Sequence, residues 1–265
     1  MSDFKPVTGL KIGEHVYPIY ELDHKLDCEM FYQELPPEIQ DNVNANSAHG
    51  KWFEPSLIIK NEPIAIVGYG PTLKVSVDAL KAFKTIISTS GAHNFLIERG
   101  IIPTYHIDVD FRPHKVVHTK DPHPDVKYLF GSTVHPTMLE NKTFKLFHID
   151  VPVLKYQPGE PIIKGYWDVG QLAMLVAKEM GYREMHLFGF DYSFTVDNTT
   201  HAGFHNGNQG ERVFARVNEK LFPTSDSLCR GVLAFGKLVE ENPDLKLSVY
   251  SNALLTEYMR RHYAI

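Results

Sequence analysis

The sequence predicts an α/β protein built on an open, mostly parallel sheet flanked by helices. Three observations carry that prediction. From residue 63 onward, short β-branched runs alternate with stretches of helical apolar spacing; the first run ends in a glycine-rich turn; and several runs end in acids or hydroxyl residues. The segment 1–62 has another texture. Apolar clusters at 16–20 and 30–32 are separated by Pro36-Pro37 and a polar stretch at 41–50, so an irregular N-terminal extension with one short helix is expected there. The expected division is an extension over 1–62 and a sheet domain over 63–265.

Residues 63–67 (Pro-Ile-Ala-Ile-Val) form the first strand, Gly68-Tyr69-Gly70-Pro71-Thr72 a turn, and Val75, Ala79, Leu80 and Phe83 the apolar stripe of a helix. Residues 85–89 make a second strand, 93–99 a short helix closed by Gly100, and 105–110 a third strand ending in acid. Further strands fall at 128–130 and 144–149, with a helical turn near 136–141 between them. The clearest helix spans 168–180: Val169, Leu172, Ala173, Val176, Ala177 and Met180 share one face, Asp168 suits the N-cap and Gly181 the stop. A strand at 184–190 ends in Asp191; after a polar loop come a helix at 225–240, a strand at 245–250 and a closing helix at 254–261.

Composition narrows the function classes. With 27 Lys+Arg against 32 Asp+Glu the formal charge is −5, which gives no general attraction for nucleic acid. Cys28 and Cys229 are too few for a disulfide framework or a four-cysteine zinc site. The first twenty residues lack a basic flank leading into an apolar run, and no window reaches the ~18 apolar residues of a membrane span. A cytoplasmic protein acting on small molecules is expected, and a homo-oligomer is compatible with that.

In a Rossmann-like sheet, ligands bind beyond the carboxyl ends of the strands. The positions that follow strands here are 68–72, 88–94 with Ser90 at its turn, 108–112, 131–135 and 191–193. Gly68-Tyr69-Gly70-Pro71-Thr72 lets backbone approach a ligand and presents N–H groups at a helix start, which suits phosphate. It lacks the Gly-Lys-Ser/Thr of a Walker A loop, and Leu73 stands at the third glycine of G-x-G-x-x-G, so a plain tight turn is the alternative. Asp108 and Asp110, two apart, share one face of a strand end. They suit a metal, a ribose or a sugar hydroxyl; alternatively one caps a turn and the other pairs with Arg112.

The 14 histidines raise a metal hypothesis that spacing does not support. His201 and His205 stand four apart among Gly and Asn, in a loop rather than on a helix. A loop histidine can serve as general base near neutral pH; the alternative is a solvated side chain. His15, His24, His49, His118, His123, His148 and His262 are scattered and read as ordinary core or surface residues.

Ile66-Val67-Gly68-Tyr69-Gly70-Pro71-Thr72-Leu73 resembles the Gly-x-Gly-Pro-Ser-Leu start of the motility-accessory-factor (Maf) glycosyltransferase-like family, which also includes archaeal 6-hydroxymethylpterin diphosphokinases. The segment 100–110 (Gly-Ile-Ile-Pro-Thr-Tyr through Asp110) is similar to that family's Gly-Ile-x-Pro-Asp-Tyr … Asp segment. Residues 172–181 followed by Leu187-Phe188-Gly189-Phe190-Asp191 resemble its Ala-x-x-Leu-Gly … Gly-x-Asp block, and Thr200-His201-Ala202 its Thr-His-Ala loop. The same frame is similar to bacterial sialyltransferases that use CMP-sialic acid, in which a loop histidine acts as base.

The resemblance implies a transferase with a nucleotide-sugar donor, CMP-activated on the sialyltransferase side, and no required cofactor. It implies that Gly68, Gly70, Pro71 and Thr72 cradle the nucleotide and Asp110 holds ribose or sugar hydroxyls. Ser90, Asp168, Gly170 and Asp191 complete the nucleotide-binding set, and the base is His205 or His201. An ATP-dependent diphosphokinase acting on a hydroxymethyl heterocycle, with magnesium, is the second reading. A non-catalytic nucleotide or sugar binder is the third, favoured by a departure from the family: Trp167-Asp168-Val169-Gly170 replaces small residues before the long helix, setting an acid where a phosphate would dock.

Overall fold

The computed structural model describes residues 5–22, 36–203 and 210–263. The chain opens with a hairpin, β1 (Thr8–Ile12) and β2 (His15–Glu21), that turns at Gly13. The one short helix expected before residue 63 is α1 (Glu38–Ser47). Next come β3 (Ile64–Val67), α2 (Leu73–Ser76) continued as a 3-10 helix (Val77–Ala82), β4 (Ile86–Thr89), α3 (Ala92–Ile97) and β5 (Tyr105–Asp108). A 3-10 segment (Pro113–Thr119) leads to β6 (Lys127–Gly131), and a shorter one (Pro136–Leu139) to β7 (Phe144–Asp150) and β8 (Ile162–Lys164). The order closes with α4 (Val169–Glu179), β9 (Glu184–Phe188), β10 (Val213–Val217), β11 (Lys220–Thr224), α5 (Asp226–Glu241), β12 (Lys246–Tyr250) and α6 (Leu254–Tyr263).

Eight strands form one parallel sheet in the order β12-β9-β3-β4-β5-β6-β7-β8, the α/β class expected. β3 and β4 are buried along their whole length, as strands covered on both faces must be. Successive side chains of β3 serve opposite faces. Ile64 and Ile66 join Leu172, Val176, Phe235 and Leu255 from α4, α5 and α6, whereas Ala65 and Val67 pack with Leu73, Leu80, Phe95 and Leu96.

A second sheet, β1-β2-β10-β11, joins the start of the chain to a region far along it, because β2 pairs in parallel with β10. The sequence read β10 and β11 as polar loop. Their turn carries Asn218 and Glu219 at φ +49° and +64°, a primed two-residue turn without the glycine that would have marked it. α1 and the segment after it are tied to the large sheet and to α4: Asn46 Nδ2 of α1 donates to the carbonyls of Ser132 and Val134, the Phe53 N–H to that of Leu146 in β7, and the Ser56 and Lys60 N–H groups to those of Glu179 and Gly181 at the end of α4.

Chain order reverses beside β3, with β4 on one side and β9 on the other. This is the switch point of a doubly wound sheet, where a crevice opens. Here the chain ends of β3 and β9 cross closely. A Cβ on Gly68 would stand 2.8 Å from the Gly189 carbonyl oxygen, and one on Gly189, at φ +67°, would stand 2.6 Å from that of Gly68.

The expected cap of α4 is present: Asp168 accepts from the Gln171 N–H at 2.9 Å and from the Tyr192 hydroxyl. Burial pushes the Asp168 carboxyl above the usual aspartate range, against the opposing pull of the bonds from Tyr192, Gln171 and Gly170.

Gly189→Ala forces both a left-handed alanine and a backbone clash, and is expected to cost about 1–3 kcal/mol of stability. Urea unfolding checks this; an unchanged midpoint would refute the close crossing. Asp168→Asn keeps the cap, since Asn and Asp cap about equally. Because the folded carboxyl has a raised pKa, its contribution to stability is whole below 3.8 and falls as pH rises through the folded value. The variant's stability relative to wild type should therefore increase across that window, by about 1.4 kcal/mol for each unit of elevation. Thermal midpoints measured at acid and neutral pH test the sign.

Candidate functional site

A cleft of about 880 Å³ opens at the carboxyl ends of β3, β4, β5 and β9, and is also bordered by Pro18 and Tyr20 of β2 and by the start of α5. The expected residues Gly68, Gly70, Pro71, Ser90, Asp110, Asp168, Gly170, Asp191 and His201 all line it. Thr72 does not line the cleft but is bonded to Asp191, which does, and His205 lies outside the described residues.

The glycine turn owes its glycines to packing against the end of β9. The Gly68 N–H donates to the Phe188 carbonyl at 2.8 Å and the Gly70 N–H to that of Gly189 at 2.9 Å. A Cβ on Gly70 would fall 2.5 Å from Asp191 Oδ2. Asp191 takes the Thr72 N–H at 2.7 Å and also the Thr72 hydroxyl. Three N–H groups that sequence reasoning aimed at a phosphate are thus bonded within the protein, and the turn reading holds for them. Burial raises the Asp191 pKa, while the bonds from Thr72 and Ser251 pull it down.

The Thr-His-Ala loop is brought to the glycine turn through Tyr69. The Ala202 N–H donates to the Tyr69 carbonyl at 3.0 Å, and the His201 ring lies 5.5 Å from the Tyr69 ring. His201 Nδ1 is 2.9 Å from the Thr200 hydroxyl.

The strand-end acids divide as the structural alternative proposed. Asp108 accepts from the N–H groups of Val109 and Asp110 and, at 3.0 Å, from His118 Nδ1. Asp110 holds Arg112 through Nε at 2.8 Å and Nη2 at 2.5 Å, a bidentate pair. Burial acts to raise the Asp110 pKa, but the Arg112 bonds and charge, with Lys115 nearby, leave it below the usual range. Asp110 nonetheless reaches the cleft, so its pairing and its exposure to ligand coexist.

Arg112, expected only as a partner for an aspartate, lines the cleft together with Lys115 and His118, for which no site role was expected. Their spacing of three was the available signal, because a 3-10 helix brings i and i+3 into line. His118, read as a scattered histidine, is fixed by Asp108. Tyr192 was also missed: at φ +54° it turns its hydroxyl to Asp168 and receives Gln171 Nε2 at 3.0 Å. Among the described residues no three His, Cys, Asp or Glu side chains group in a metal-binding arrangement, and no helix is long and apolar enough to cross a membrane.

Among solved structures, the chain is similar to the Maf glycosyltransferase from Magnetospirillum magneticum AMB-1, with 19% identity and a TM-score of 0.65 over 82% of this chain and 37% of that one. It therefore spans little more than a third of that protein, and at this identity the likeness is one of fold. Two mammalian sialyltransferase structures, one in complex with Gal-beta-1-3GalNAc-ortho-nitrophenol, are 13% identical with TM-scores of 0.40 and 0.41, covering 82% and 83% of this chain and 81% of each of theirs. No curated protein matches the sequence. Residues 36–197, well over half of the chain, match the family described as 6-hydroxymethylpterin diphosphokinase MptE-like, so the chain belongs to the MptE-like family.

Proposed function

We propose that the protein is a glycosyltransferase-like enzyme that moves a sugar from a nucleotide-activated donor, CMP-activated in the preferred form, to an acceptor hydroxyl. The observation that supports this most is the meeting of the glycine turn and the Thr-His-Ala loop on one cleft at the switch point of the sheet. His201 takes the acceptor proton as the acceptor oxygen bonds to the anomeric carbon. The bond from that carbon to the donor phosphate breaks, and the nucleotide leaves with the electron pair. Asp110 holds ribose or sugar hydroxyls, and no cofactor is required. His205 is the other histidine of this loop and the alternative base.

The family match favours a second reading, transfer of a diphosphate from ATP to a hydroxymethyl heterocycle, with magnesium arriving as part of the ATP substrate. A panel of CMP, CDP, UDP, ADP and ATP with and without magnesium separates the readings by thermal shift, because a ligand at 100 times its Kd stabilises by about 2.7 kcal/mol. Stabilisation by a cytidine nucleotide without magnesium is the expected result. Stabilisation by ATP with magnesium alone would transfer the assignment to the second reading, and none with any nucleotide would indicate a non-catalytic protein. With a donor in hand, His201→Ala should lower kcat by roughly 100- to 10,000-fold; turnover within a few-fold of wild type in both His201→Ala and His205→Ala would rule the mechanism out.

A further inference from the structure

The cleft has an uneven distribution of charge. Five carboxylates reach it, those of Asp110, Asp168, Asp191, Glu211 and Asp226, whereas Arg112 and Lys115 are the only lysine or arginine side chains among the described residues that line it. Arg112 is neutralised by its bidentate partner Asp110. Lys115 is different: it is 3% exposed, lines the cleft, and makes no side-chain hydrogen bond or ion pair with any described residue. Asp108 and Asp110 act on it only through their fields, and burial holds its pKa below the usual lysine value. Its stem is packed away and its ammonium is partly desolvated at the cleft wall without a protein counter-ion, which leaves its donors available to an anion in the cleft.

The usual donors for a phosphate at a switch point are occupied in this protein. The N–H groups of Gly68, Gly70 and Thr72 are bonded to the end of β9, and Asp168 covers the start of α4. A phosphate placed there would meet the Asp191 and Asp168 carboxylates instead of free donors.

We propose that Lys115, presented by the 3-10 segment after β5, is the principal ligand for the phosphate of the nucleotide substrate, with Arg112 beside it. This deepens the reading of the cleft as a nucleotide-donor site and rests on it. Lysine suits the task as a compact point charge with three donors. The phosphate takes the place of the missing ion-pair partner, and the carboxylates elsewhere in the cleft steer it toward this corner by repulsion.

Inorganic pyrophosphate is the direct probe, titrated calorimetrically into the full chain in EDTA at fixed ionic strength, because it needs neither base nor sugar. Wild type should bind, Lys115→Met should bind at least tenfold more weakly, and Asp110→Asn, which removes a carboxylate from beside the ammonium, should bind several-fold more tightly. Lys115→Met should keep the thermal midpoint close to wild type, since it keeps the packed stem and deletes a charge that no described residue pairs. Should that variant fail to fold, the opposite-signed response of Asp110→Asn decides. Equal binding by wild type and Lys115→Met, no tightening in Asp110→Asn, or binding that needs magnesium and survives Lys115→Met would overturn the assignment. The nucleotide panel separates the two failures. A nucleotide that stabilises wild type and Lys115→Met alike leaves the donor reading standing and removes Lys115 from it. Pyrophosphate binding that depends on Lys115, with no nucleotide bound, leaves the phosphate site standing and removes the donor reading.

Discussion

The close crossing of the β3 and β9 chain ends is the constraint on which the cleft depends. Side chains at Gly68, Gly70 or Gly189 would drive the backbones apart, since a Cβ at any of them would stand within 3 Å of a facing oxygen. With the backbones in contact, Asp191 reaches across to Thr72 and fixes the first turn of α2. Tyr69, carried on the same turn, then anchors the loop bearing His201 through the Ala202 N–H. One contact between adjacent parallel strands thus sets the glycine turn, the Asp191 wall and the histidine loop at once.

That arrangement carries an electrostatic cost. Asp191 receives two bonds from Thr72, and hydrogen bonds to a charged group are worth about 1.5–3 kcal/mol each. Its pKa is nevertheless raised, so desolvation outweighs them. Asp168 shows the same balance at the start of α4, despite the bonds from Gln171 and Tyr192. Close packing at a switch point uses up the local donors and leaves poorly solvated acids. The lysine and arginine side chains of the cleft among the described residues therefore stand outside that crossing, beyond the end of β5, two strands from β3, at Arg112 and Lys115. The formal charge of −5 for the whole chain says nothing about this corner, where two cations stand together.

Much of the large sheet was legible because its strands are short β-branched runs and its helices carry apolar stripes with recognisable ends. Asp168 and Ser225 each cap their helix through the side chain, as such residues do. The second sheet was not legible. β1 is largely exposed, β11 contains Pro223 and turns from β10 without a glycine, and β10 pairs on its other side with β2, almost two hundred residues earlier. Most of the expected site residues reached one cleft because a parallel sheet gathers its strand ends. Lys115 and His118 carry no helix or strand signal, because they sit in a 3-10 segment whose period of three matches neither the 3.6 of an α-helix nor the 2 of a strand.

The surplus of histidines is resolved by burial and partners rather than by spacing. Ser132, His148 and Glu160 form a chain with contacts of 2.7 and 2.8 Å, the order of nucleophile, base and orienting acid. Ser132 and His148 are fully buried, with Trp52 and Tyr156 against the imidazole, so no substrate reaches the hydroxyl. The chain instead ties β6 to β7 and to the segment that follows. Ser88 and His106 make the corresponding tie between β4 and β5, and His93 joins α3 to Tyr128 of β6. Burial lowers the pKa of all three buried rings, for His148 against the pull of Glu160, which keeps them as neutral bridges in a dry sheet. A neutral imidazole can donate at one nitrogen and accept at the other, so it satisfies hydroxyls on adjacent strands without burying a charge. Histidine is frequent in this sequence in part because it joins strand ends, and of the described histidines only His118 and His201 stand on the cleft where a proton can be exchanged.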